Sequence, residues 1–511
     1  MSLPLESPLM LFPTPSFAIF FVAVFIGGWM LFTGRSAWRY FMLAASYLFC
    51  GLFDWRFVWL FAAITLLGWL GLVAIEKLGA GSASGLGSGP ARAVLAASVA
   101  LHVGVLVWFK QLGFFVTSAT ALLGRLGLET GWTAVQVAIP VGISFLVFRG
   151  ISATVDVYRG KAPAPSLLDY ALFMTFFPYL AAGPIGRLAE VVPQLIARRA
   201  PSPALAAQGF LLIAGGLVKK MLIADYLARV AVDEVFAAPR LFSSADSLGA
   251  IYAYAAQIYC DFSGYTDMAI GIALLLGITL PQNFDMPYAA LTLQSFWRKW
   301  HMTLSRFLRD YVYIPLGGNR KGEGRTYLNL VLTFFIGGLW HGAGATFAIW
   351  GLIHGVGLAV ERWLAGRAQR RAEWRAAAAA ARGDEFALAH AGKSPADPRQ
   401  VLPAPVAWFV TFHFVCLAWV FFRADSAGTA LRVIGRVFTG WDVPSQLPAA
   451  AWIVIVLVIA IQFVPGRARE FVREHFGTWR PVWQAVALAV VLFVVSVIGP
   501  QGPTAFIYAG F

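Results

Sequence analysis

Residues 328–350 read LNLVLTFFIGGLWHGAGATFAIW, an uncharged run interrupted by one histidine, His341. A helix needs about 20 apolar residues to cross the hydrocarbon core of a bilayer, so this run is long enough to span. Ionisable groups at membrane depth are costly and mark functional positions by default. Gly337, Gly338, Gly342 and Gly344 surround His341. Glycines let backbones or a ligand approach closely, so the imidazole is expected to face open space. The plainer alternative is a histidine satisfied by one interhelical hydrogen bond.

The rest of the chain carries the same signature. It has 511 residues, 59% hydrophobic and only 13% charged, against about 25% charged in a soluble protein. The mean hydropathy is +0.71. Long apolar runs recur near 10–33, 56–76, 92–109, 138–158, 167–186, 207–228, 248–277, 330–350, 404–423, 449–465 and 484–500, with shorter pieces near 38–52, 111–123 and 351–363. The fold expected is all-α and polytopic, with about eleven to fourteen membrane helices. No basic segment precedes the first run, so a cleaved signal peptide is not expected. Arg35 and Arg39 follow that run, which predicts an outside N-terminus and a cytoplasmic first loop.

The net charge of +14 would suggest nucleic acid in a soluble protein. In a membrane protein it reads as lysine and arginine collected in cytoplasmic loops beside anionic lipid, and no nucleic-acid partner is expected. Cys50, Cys260 and Cys416 are isolated and form neither a metal spacing nor a disulfide framework. No metal site is expected.

One membrane domain over 1–511 is predicted, with a Gly/Ser-rich loop at 79–91 and a basic cytoplasmic loop at 364–400. In the latter, Arg367 to Arg382 reads as a surface helix. Residues 281–329 are too polar to span facing lipid and too aromatic for a plain loop. Short helices at the membrane surface or dipping into it fit them best.

Besides His341, the polar groups inside apolar segments are Asp261, Asp267, His354, His102 and His413. His301 sits beside Arg298 and Lys299 and reads equally as an interfacial polar residue or a functional one. Imidazole suits proton transfer near neutral pH. Asp261 and Asp267 lie six residues apart, on different helix faces, which makes a poor paired-carboxylate site. Asp267 is expected to pair with a cation or orient a neighbour, and Asp261 to do likewise. His354 reads as structural, and His102, His390, His413 and His475 lack supporting context. Phosphate-binding loops, HExxH, GxSxG, GxGxxG and HxxxxD are all absent from the sequence.

Several long stretches then carry a resemblance: PVGISFLVFRGISATVDVYRG (140–160), FFPYLAAGPIGR (176–187), QIYCDFSGYTDMAIG (257–271), PQNFDMPY (281–288), SFWRKWHMTLSRFLRDYVYIPLGGNR (295–320) and GLWHGAGATFAIWGLIHG (338–355). Together they resemble the membrane-bound O-acyltransferase family, in its bacterial branch that acetylates exported polysaccharides. The resemblance is strong over about 140–360 and weak at the ends. It implies a helical bundle around a central tunnel, with His341 as the family's active-site histidine and His301 as the branch's second histidine. It implies a thioester donor, here cytoplasmic acetyl-CoA, with no cofactor held permanently. It also implies a periplasmic partner resembling SGNH/GDSL esterases that passes the acetyl group to an exported polysaccharide, and residence in the bacterial inner membrane. Asn319, Arg320 and Lys321, with Arg298 and Lys299 nearby, become candidates for holding the donor. Positive-inside topology alone would also explain those cations. Tyr508, near the C-terminus, becomes a candidate acyl relay, although an aromatic interface anchor is the plainer reading.

Overall fold

The computed structural model describes residues 10–79, 88–128, 138–382 and 402–499. Among them all regular structure is helical, which is the expected class. The sequence places the helix starts. Thr14, Ser88 and Ser202 each accept a hydrogen bond from a backbone N–H in the first turn, and each stands just before a proline-bearing first turn. These are favoured N-cap and N1 chemistries.

Among the described residues, four helices are long and apolar enough to cross a bilayer: Arg56–Lys77, Gly89–Arg125, Ala404–Arg423 and Pro481–Ile498. The expectation of eleven to fourteen membrane helices counted apolar runs in the sequence, some of them re-entrant or interfacial, rather than uninterrupted apolar helices. Instead many helices are interrupted by π-helical turns, as at Gly27–Leu31, Val218–Ala224 and Arg309–Tyr313. Others bury polar side chains against protein, so neither length nor apolarity need reach the lipid-facing standard.

The chain sorts into two compact units. One comprises Met1–Arg229, Gln257–Asn283 and Pro465–Phe511, the other Val230–Ala256 and Phe284–Val464. The 32-residue helix Ser244–Leu275 begins in the second and ends in the first.

In the first unit, helix Pro203–Leu217 runs antiparallel to the C-terminal part of Ser244–Leu275. Gly209 meets Gly271, and Gly216 meets Gly264. A Cβ on Gly216 would lie 2.6 Å from the Gly264 carbonyl oxygen, and one on Gly264 2.8 Å from that of Gly216. Small residues seven apart on each helix thus bring the two backbones together. The π-helical turn Val218–Ala224 follows and carries Lys219 and Lys220. Elsewhere in this unit, buried Arg149 donates to the carbonyls of Met174 (2.8 Å) and Tyr179 (3.3 Å). It thereby ties the stretch 140–160 to the broken helix pair Leu167–Thr175 and Phe177–Leu180.

In the second unit, Glu323–His341 and Ala345–Ala381 form an antiparallel hairpin joined by Gly342, Ala343 and Gly344. Gly338 lies against Gly351, and Gly355 against Val331. The basic stretch from Arg367 is helical and mostly exposed, as expected, but it is not a separate element. Without a proline to stop it, Ala345–Ala381 continues through that stretch as one helix of 37 residues. The polar region folds into the short helices Leu293–Lys299 and Met302–Leu308, followed by the π-helical turn.

Candidate active site

His341 is the last residue of its helix, and Gly342 beyond it is extended. The side chain is 3% exposed. Its ring lies 4.6 Å from Trp340, 5.0 Å from Trp350 and 4.9 Å from Phe422, centroid to centroid. The glycines around it therefore do not leave open space as expected. Gly338 serves the helix–helix contact, and a side chain at Gly342 would collide with the Phe347 ring. The wall of His341 is aromatic.

His301 stands at the start of Met302–Leu308 and is 1% exposed. Its φ is +42°, a left-handed conformation that non-glycine residues adopt only where the surroundings impose it. Its carbonyl accepts the Ser305 N–H at 3.0 Å. The ring centroid lies 6.2 Å from that of Trp340, so the two candidate histidines share one indole. Trp300 anchors the chain just before His301, packing on Phe284, Phe296 and Trp419 at 4.9–5.6 Å.

His354 was read as structural from sequence. It is fully buried, and its Nδ1 accepts a hydrogen bond from Trp297 Nε1–H at 3.2 Å. Trp350 connects it to His341, lying 5.0 Å from each ring.

The candidate donor-binding residues sit on this unit's surface. Arg298, Asn319, Arg320 and Lys321 are exposed, and Lys299 is half-buried. The loop bearing residues 319–321 turns at Gly317, Gly318 and Gly322, all with positive φ, a conformation glycine adopts at no steric cost. Asn329 holds it by donating to the Gly318 carbonyl at 2.9 Å. Such a loop presents backbone and cations outward, which suits a phosphate group.

Asp261 and Asp267 belong to the first unit and do not stand alone. Asp261 pairs with Lys220 at 2.5 Å, and Lys220 also pairs with Asp225 at 2.9 Å. Asp267 pairs with Lys219 at 2.5 Å, and that lysine donates to Ser263 at 3.1 Å. Lys219 and Lys220 went unnoticed in the sequence, because Asp267 and Asp261 lie more than forty residues after them. Tyr508 lies outside the described residues. Among the described residues no three metal-capable side chains converge, and the three cysteines are free and buried.

A buried imidazole at a helix end, a second imidazole on the same indole and a cationic loop make an arrangement suited to proton transfer beside a charged donor. The family model of the membrane-bound O-acyltransferases matches residues 151–379, the segment that contains both histidines. The chain is 38% identical over 435 residues to a probable alginate O-acetylase of Pseudomonas putida, covering 85% of this chain and 81% of that one. It is 38% identical to a peptidoglycan O-acetyltransferase of Helicobacter pylori over 65% of this chain and 62% of the other. It is 29% identical to a teichoic acid D-alanyltransferase of Streptococcus thermophilus over 40% and 52%. The chain belongs to the membrane-bound O-acyltransferase family, and it is an O-acyltransferase and a multi-pass membrane protein.

Proposed function

We propose that this protein takes an acetyl group from cytoplasmic acetyl-CoA and delivers it across the membrane for O-acetylation of an exported polysaccharide. The observation that carries this reading is the pair of buried histidines on one indole, with His341 closing the helix Glu323–His341. The similarity to alginate and peptidoglycan O-acetyltransferases supports acetyl as the group transferred and an envelope polymer as its destination.

In the proposed reaction the His341 imidazole removes the proton of an acceptor hydroxyl as that oxygen attacks the thioester carbonyl. His301 donates to the carbonyl oxygen as negative charge develops on it. The new C–O bond forms, the C–S bond breaks, and the CoA thiolate leaves and is protonated to the thiol. Arg298, Lys299, Asn319, Arg320 and Lys321 hold the phosphates of the donor. Asp261 and Asp267 support the bundle through their lysines. The chain carries the acetyl group only part of the way. A periplasmic partner resembling SGNH/GDSL esterases accepts it and acetylates the polymer, Tyr508 being a candidate relay. This assigns the chain to the bacterial inner membrane with a periplasmic N-terminus.

The test uses membrane vesicles of the native host, with the chromosomal copy replaced and labelled acetyl-CoA supplied on the cytoplasmic face. His341→Ala is expected to abolish label in the polymer while the protein remains folded in the membrane. Undiminished transfer would remove His341 as the base. The relation to a D-alanyltransferase supports a second reading, in which a carrier protein brings the acyl group. Free CoA competes in the first case and is without effect in the second.

A further inference from the structure

One face of the long helix Ala345–Ala381 reaches the surroundings of both histidines. Trp350, His354, Gly357 and Glu361 follow at steps of four, three and four residues, the spacing of a single helix face. Trp350 packs against His341 at 5.0 Å. One turn on, His354 receives the Trp297 hydrogen bond. At the next turn, a Cβ on Gly357 would lie 2.5 Å from the Phe414 ring and 2.9 Å from the Leu293 side chain, so the missing side chain leaves room for both neighbours. Finally, the Glu361 carboxylate accepts the backbone N–H groups of Leu293 (2.5 Å) and Gln294 (3.1 Å).

Leu293–Lys299 spans seven residues, far too short to be stable as an isolated helix. Glu361 fastens its first turn, where backbone donors would otherwise lack partners. His354 fastens Trp297, four residues before His301. The chain then passes through Trp300 directly into the left-handed backbone of His301.

The His354 bond has a defined direction. An indole N–H can only donate, so Nδ1 accepts, and the ring proton belongs on Nε2. Among the described residues Nε2 has no hydrogen-bond partner. A buried donor left unpaired costs free energy. If packing among Phe296, Trp350 and Trp419 were the only requirement at this position, phenylalanine would meet it without that cost. What histidine adds is the acceptor for Trp297.

We infer that His354 and Glu361 are positioning residues of the transfer reaction. Through the short helix they set His301 in place relative to His341, which the same helix face holds through Trp350. This rests on the reading of His301 and His341 as the reacting pair.

The test compares acetyl transfer from acetyl-CoA in the vesicle assay for wild type, His354→Phe, His354→Asn, Trp297→Phe, His301→Ala and the double variant His354→Phe/His301→Ala. His354→Phe keeps a ring but removes the acceptor, and its kcat is expected to fall about ten- to hundredfold with little change in KM, the penalty of a small misplacement. Asn keeps an acceptor near the position of Nδ1, and His354→Asn is expected to recover most of that loss. Trp297→Phe removes the donor and is expected to reproduce the loss, so it reads the same bond if His354→Phe does not fold. Two residues acting through one another are non-additive, and the double variant is expected to be no worse than His301→Ala alone. Full kcat in both His354→Phe and Trp297→Phe, or losses that multiply in the double variant, would overturn the positioning role while leaving the proposed function standing. Full transfer by His301→Ala would instead sink the reading on which it rests.

Discussion

The two units handle buried polar side chains in different ways. In the first, Lys219 and Lys220 meet Asp267, Asp225 and Asp261 at 2.5–2.9 Å, beside a seam where glycines bring two backbones together. In the second, His301, His341 and His354 are walled by Trp297, Trp340, Trp350 and Phe422. A charge in a low-dielectric interior must be paired, and once paired it serves to hold helices together. An imidazole can be buried in its neutral form, which keeps one ring nitrogen as donor and one as acceptor. On the proposed function, the lysine–aspartate pairs serve architecture and the aromatic-walled histidines serve chemistry.

Two variants should therefore part ways. His341→Ala is expected to lower acetyl transfer by about 10²- to 10⁴-fold, the range for loss of a general base, with little change in the thermal unfolding midpoint of the detergent-solubilised protein. Lys220→Met should do the reverse to stability. Lys220 is 1% exposed, and its removal leaves Asp225 and Asp261 buried together without their shared cation. The expected destabilisation is about 3–5 kcal/mol, read from the same unfolding measurement. A Lys220→Met protein as stable as wild type would end the distinction between the units.

The glycine seam gives a smaller and more local effect. Gly264→Ala places a methyl group 2.8 Å from the Gly216 carbonyl oxygen, a backbone atom that cannot rotate away. Overpacking of this kind costs about 1–3 kcal/mol. Gly215→Ala, one position from the seam, meets nothing within 4 Å and should leave stability unchanged. Equal unfolding midpoints for the two variants would show that the helices are not held at this contact.

Much of this was legible in the sequence, for physical reasons that also explain what was not. Apolar runs fix the class, because lipid admits few alternatives to a helix. The polar stretch 281–329 read as short helices, because it fits neither a span nor a loop. His341 stood out because charge-free surroundings make one imidazole conspicuous. Its wall did not, since Phe422 arrives from eighty residues downstream. The role of the surrounding glycines was misread, because a glycine looks the same in sequence whether a ligand or a neighbouring backbone fills the space. Lys219 and Lys220 sit at the end of an apolar run and look like topology markers until the helix bearing Asp261 and Asp267 is folded against them. His354 looked structural because its partner Trp297 becomes its neighbour only when the long helix meets the short one.

The smallest expected effect lies at the surface, away from both the lysine–aspartate pairs and the aromatic-walled histidines. Arg320 and Lys321 are exposed on a loop whose shape comes from three positive-φ glycines and the Asn329 bond. Removing either side chain should leave the loop as it is, so the fold will not report on them. Exposed charge contacts contribute about 0.2–1 kcal/mol. Arg320→Ala and Lys321→Ala should therefore each raise KM for acetyl-CoA by about two- to fivefold, with kcat unchanged. Salt supplies the control, because screening weakens exposed contacts. Added salt should raise the wild-type KM toward that of the variants and move theirs less. If KM is the same in all three proteins at low ionic strength, these cations serve membrane topology and the donor's phosphates are held elsewhere.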